Sequence, residues 1–75
     1  MKYKYFDERL KLGLNIQYYR KLADLTQEQL AERVDISREH LSKIERAVNC
    51  ASVDVLFNVS EELGIPAYKL FMFKE

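Results

Sequence analysis

The chain predicts an all-α domain, on three observations. Across 75 residues only one Pro and two Gly interrupt it, and no Val/Thr/Tyr-rich alternating run competes for a sheet. Large aliphatics recur at spacings of three and four, the signature of a helix face. Thr26, Ser37 and Ser52 each stand directly before such a stretch, where helix N-caps belong. Hydrophobic content of 48% is enough to fold and argues against disorder. The length allows one small domain with a modest core, and stability at this size is marginal enough for dimerisation to help.

Residues 1–6, MKYKYF, alternate Lys with aromatics and read as an N-terminal tail or short extended arm. A single domain then runs over 7–75. From Asp7 the pattern is helical. Leu12, Ile16 and Tyr19 form one stripe, and Leu10, Leu14 and Tyr18 form a second. Two stripes are wider than one small core needs. Later helices are expected to cover both; a partner subunit over one of them is the alternative. This helix should end near Ala23–Leu25.

Thr26 and Gln29 form the capping-box pattern T-x-x-Q, which opens a short second helix with Leu30, Ala31 and Val34 on its buried face. After Asp35 and Ile36, Ser37 caps the third helix, SREHLSKIER, in which Leu41 and Ile44 share the inward face. Two short capped helices so close together have helix-turn-helix geometry, with Asp35 at a left-handed turn position. AVNCAS is a loop. Ser52 caps a fourth helix, with Asp54 near its positive end and Val53, Leu56, Val59, Ser60 and Leu63 inside. Gly64 stops it, and Pro66 starts a fifth helix over Ala67–Phe73.

Several function classes find no support. Net charge is zero, though residues 1–46 carry ten basic against eight acidic groups and residues 47–75 two against four. That asymmetry is too small to choose between DNA and protein as partner. The lone Cys50 can form neither an intrachain disulfide nor a cysteine-based zinc site, and it fits a reducing cytoplasm. MKYKYF is no signal peptide, and no apolar run approaches membrane-spanning length. There is no nucleophile–base set, phosphate-cradling Gly loop or metal cluster. Glu61 and Glu62 are adjacent on a helix and do not face each other. An enzyme, a metal site, a cofactor and a membrane partner are therefore not expected.

The run TQEQLAERVDISREHLSKIER, with LGLNIQYYR before it and SVDVLFNVSEELGIPAYKLF after it, resembles the lambda-repressor/Cro-like family of DNA-binding domains. The likeness covers residues 12–71. It implies a compact five-helix domain with the helix-turn-helix at helices 2 and 3. It also implies a sequence-specific regulator of double-stranded DNA, working as a homodimer on a palindromic operator. The third helix would enter the major groove, with Ser37, Arg38, Glu39 and Lys43 at base-facing positions. Gln27 would touch a phosphate. His40 and Asn49 are further candidates for the DNA backbone. Arg20 and Glu45 match a buried ion pair that holds the first and third helices together. Two positions depart from the pattern, because Asp35 and Ala47 stand where the family usually has Gly. The AVNCAS loop also lacks Lys and Arg, so backbone contact there falls to main-chain N–H groups or Asn49.

Each candidate has a plainer reading. Arg38 and Lys43 could be a solvated face; the family register instead makes Arg38 the choice for bidentate contact with guanine, and Lys43 could reach a guanine or a phosphate. Glu39 either accepts from cytosine N4 or pairs with Lys43 four residues on. His40, without a neighbouring ligand, is no metal site. Tyr68, Phe71, Met72 and Phe73 are more apolar bulk than a short terminal helix can bury; some should meet the second stripe of the first helix, and the rest form a dimer contact. The competing function is a protein-interaction module that kept the fold and lost DNA binding. Zero net charge, Glu39 and the uncharged loop favour it.

Overall fold

The computed structural model describes residues 4–73, so the first half of the MKYKYF tail lies outside the described residues. Four α-helices follow in order: α1 Phe6–Leu22, α2 Gln27–Arg33, α3 Arg38–Glu45 and α4 Val53–Leu63. A 3-10 helix, Ala67–Phe71, closes the chain. Among the described residues the fold is therefore four α-helices and a 3-10 turn, not five α-helices. Pro66 is extended at φ −67° and ψ 144°, and only five residues follow in the turn. Its bonds run from Lys69 N–H to the Pro66 carbonyl and from Met72 N–H to the Lys69 carbonyl, both three residues back. So short a segment cannot complete a ladder of four-residue bonds.

The caps explain where the α-helices begin. Thr26 accepts from the Gln29 N–H, and the Gln29 side chain accepts in return from the Thr26 N–H, a full capping box. Ser37 accepts from the His40 N–H, and Ser52 from the Val55 N–H. The helix ends share one device. Leu25 N–H reaches the Arg20 carbonyl, Ile36 that of Ala31, Val48 that of Lys43 and Ile65 that of Ser60. Each bond spans five residues over a left-handed residue, which closes off carbonyls that would otherwise lack partners. Only the last of these residues is Gly64; the others are Asp24, Asp35 and Ala47, at φ 60°, 60° and 64°.

The core joins Ile16 of α1, Leu30, Ala31 and Val34 at α2, Leu41 and Ile44 of α3, Leu56 and Val59 of α4, and Leu70 of the 3-10 turn. α1 turns Gly13, Ile16 and Arg20 inward. At about 100° per residue Leu14 and Tyr18 fall nearly opposite that side. They stay 50% and 57% exposed, so the later helices leave these two residues of the second stripe uncovered, while Leu10 is half-buried. At the other end of the chain the Asn15 amide donates to the carbonyls of Leu70 and Met72, at 2.9 and 3.2 Å. This fastens the C-terminal segment along α1. Among the described residues, no helix is long and apolar enough to cross a membrane.

Candidate nucleic-acid interface

The mount comes first. Arg20 of α1 and Glu45 of α3 are both buried, and Nε lies 2.8 Å from Oε2. Nη2 of Arg20 donates to Oε1 at 3.2 Å, which makes the pair bidentate, and Nη1 donates to the Leu25 carbonyl. The Gln27 amide at the start of α2 donates to the same Oε1 at 3.0 Å. One carboxylate thus ties α1, α2 and α3 together. The helices also approach closely at Gly13. A Cβ built there would lie 2.5 Å from the Glu45 carbonyl oxygen and 2.7 Å from that of Ile44. Glycine at this position lets α1 lie against the backbone of α3.

That mount fixes which side of α3 faces solvent. Leu41, Ile44 and Glu45 point in; Ser37, Arg38 and Glu39 are exposed, and Lys43 is half-buried. Arg38 shares a shallow groove with Gln27, Glu28 and Gln29 of α2. Lys43 Nζ lies 3.3 Å from Glu39 Oε1. The outer face is therefore partly self-neutralised, with Arg38 as its strongest free-standing donor set. His40 and Asn49 are brought together, Asn49 Nδ2 lying 3.3 Å from His40 Nδ1, and this links α3 to the loop after it. Among the described residues, no group of three or more His, Cys, Asp or Glu side chains could hold a metal ion.

Tyr68, Phe71 and Met72 are exposed and Phe73 half-buried. They do not form one surface. A 3-10 helix has about three residues per turn, so Tyr68 and Phe71 share a side. Met72 lines a groove with Asn15, Tyr18 and Tyr19, and the Phe73 ring sits 5.9 Å from Lys11 Nζ. Val53, expected inside α4, is instead 62% exposed, because it is the first residue of the helix and precedes the buried turn at Leu56; with the exposed Phe57 it adds apolar surface not among the dimer candidates read from the sequence. Gly13, Asn15 and the Gln27–Glu45 bond were also missed. A glycine inside an otherwise regular helix was the one available signal, since it costs helix stability unless something approaches closely.

α2, the left-handed turn at Asp35 and α3, with an exposed polar side on the second helix, define a helix-turn-helix domain. A family model described as "Helix-turn-helix" matches residues 16–70. The chain belongs to this family, of the lambda-repressor/Cro-like kind. The HTH-type transcriptional regulator MJ0272 of Methanocaldococcus jannaschii is 30% identical over 60 residues, covering 80% of this chain and 91% of its own length. The regulator Rv0474 of Mycobacterium tuberculosis is 35% identical over 60 residues, and the match spans 80% of this chain but 43% of that protein. The restriction-modification controller protein C.AhdI from Aeromonas hydrophila shares the fold, with a TM-score of 0.85 at 24% identity over 88% of this chain and all of that one. SinR, a master regulator of biofilm formation solved in complex with DNA, matches with a TM-score of 0.76 at 31% identity, over 81% of this chain and 98% of that one. The fold is thus that of helix-turn-helix transcriptional regulators.

Proposed function

We propose that the chain is a sequence-specific double-stranded DNA-binding regulator that reads a palindromic operator as a homodimer, with α3 in the major groove. One observation carries this reading: the buried Arg20–Glu45–Gln27 junction holds α3 so that Arg38, Glu39 and Lys43 stand outward beside the start of α2. Arg38 is the guanine-reading residue, and a good bidentate contact is worth about 1–3 kcal/mol of discrimination. Ser37, Glu39 and Lys43 complete the base-facing set; Glu39 and Lys43 exchange their mutual ion pair for contacts with DNA. Gln27, His40 and Asn49 lie near the backbone. Gln27 gives one amide N–H to Glu45, which orients the side chain and leaves its second amide N–H and its main-chain N–H to reach a phosphate. Tyr68 and Phe71, with Val53 and Phe57 of α4, supply the apolar surface for the dimer.

Selection from a random duplex library, at moderate and at raised salt, tests this. The expected result is an enriched palindrome whose half-sites lie about one helical turn apart, with binding that weakens as salt rises. Arg38→Ala should stay folded and relax preference at one base position. The second reading, a protein-interaction module, is favoured by the Glu39–Lys43 pair and by a loop without Lys or Arg. A folded chain that enriches no sequence would overturn the operator reading and favour the second.

A further inference from the structure

The outer side of α1 has no role in the mount or in the reading face. Asp7, Leu14, Tyr18 and Lys21 follow one another at spacings of seven, four and three, so they line a single side of α1, away from the core. All four are exposed. Met72 widens the apolar centre, because Asn15 holds the carbonyls of Leu70 and Met72 against α1 and so sets Met72 beside Tyr18. With the exposed Lys11 on the same side, the stripe reads acid, base, apolar, apolar, base, and its two ends are opposite in charge.

We infer that this face pairs with the same face of a second copy, the two α1 helices lying antiparallel. The argument is charge complementarity. An isologous contact needs a surface that complements itself when turned by half a revolution. A stripe whose two ends carry opposite charges does so only when antiparallel. With the crossing centred on Leu14, the two Leu14 side chains meet and each Tyr18 lies level with Leu10 of the other copy. Asp7 and Lys21 are each seven residues from that centre, so Asp7 lies level with Lys21 of the other copy. Antiparallel helix dipoles favour the same arrangement. Lys11 shares the face and lies level with the uncharged Gln17 of the other copy, with its ammonium drawn toward the Phe73 ring. Zero net charge removes long-range repulsion between copies. The contact is separate from the Tyr68–Phe71 surface proposed for the operator-bound dimer, so the two together would join dimers into larger assemblies.

Sedimentation equilibrium of the full chain over a range of concentrations tests it, with Asp7→Lys, Lys21→Glu and their equimolar mixture alongside wild type. The expected result is an association step that each variant alone weakens about tenfold, since two symmetry-related pairs turn repulsive, and that the mixture restores. Restoration is specific to this geometry. In the mixed pair the lysine introduced at position 7 of one copy faces the glutamate introduced at position 21 of the other. The native Lys21 of the first copy then faces the native Asp7 of the second. Circular dichroism melts of both variants, at concentrations where every form is monomeric, should stay cooperative and fall only slightly below wild type, by the small cost of reversing a charge at a helix end, and so exclude unfolding. A wild-type chain that stays monomeric overturns the inference. So does an association indifferent to both charge reversals, or one that Phe71→Glu abolishes while they leave it intact.

Discussion

On its inner side α3 sets Leu41, Ile44 and Glu45 among buried neighbours; on its outer side Arg38 and Glu39 stand in solvent, with Lys43 half-buried against them. The inner side holds a bidentate ion pair at 2.8 Å between buried groups, and the outer side an ion pair at 3.3 Å between groups largely in water. Both are ion pairs, and their energetic meaning differs. Breaking the first strands a charge without water, whereas breaking the second only returns two charges to it. A few residues of one helix thus divide into those that fix its position and those free to specify what it touches.

Glu45→Ala should give the largest effect, a loss of about 3–5 kcal/mol in chemical denaturation, because Arg20 is left buried and Gln27 loses its acceptor. Replacing both charges, as in Arg20→Met with Glu45→Leu, should recover part of that loss. A double variant no better than the single one would mean that the helices are held by something other than this carboxylate. Gly13→Ala comes next, at about 1–3 kcal/mol, since the new methyl group meets rigid main-chain carbonyls of α3. An unchanged melting temperature would show that α1 can move off α3 freely. Ala47→Gly runs the other way, a gain of about 0.5–1 kcal/mol, because its φ of 64° suits glycine. The smallest effect belongs to the outer side. Glu39→Ala should change stability by less than about 0.5 kcal/mol. A larger loss would mean that the outer face also carries part of the mount.

Much of this arrangement was legible in local patterns. Thr26, Ser37 and Ser52 marked three helix starts because a cap is chemistry within four residues, and Asp35 marked the turn for the same reason. What failed depended on distance. Whether Leu14 and Tyr18 are covered depends on which side of α1 the later helices reach, and Gly13 and Arg20 settle that only once packed. The last helix was misread because Leu70, Phe71, Met72 and Phe73 suggest an α-helix by composition, while Pro66 and the brevity of the segment favour a 3-10 turn. At the candidate interface the outward residues of α3 could be named from the resemblance. The bond from Gln27 to Glu45 could not, because it joins residues 18 apart through side chains alone.

Three helices end over left-handed residues that are not glycine: Asp24, Asp35 and Ala47. Ala47 costs about 1 kcal/mol or more there and the two Asp residues less, against a total stability of roughly 4–11 kcal/mol for a chain of this length. The folded fraction is therefore sensitive to whatever the folded form holds, since any ligand that prefers the native state adds its binding energy to stability. In a cell, where unfolded chains are removed by proteases, occupancy becomes lifetime: copies engaged with a ligand persist, and idle copies turn over faster.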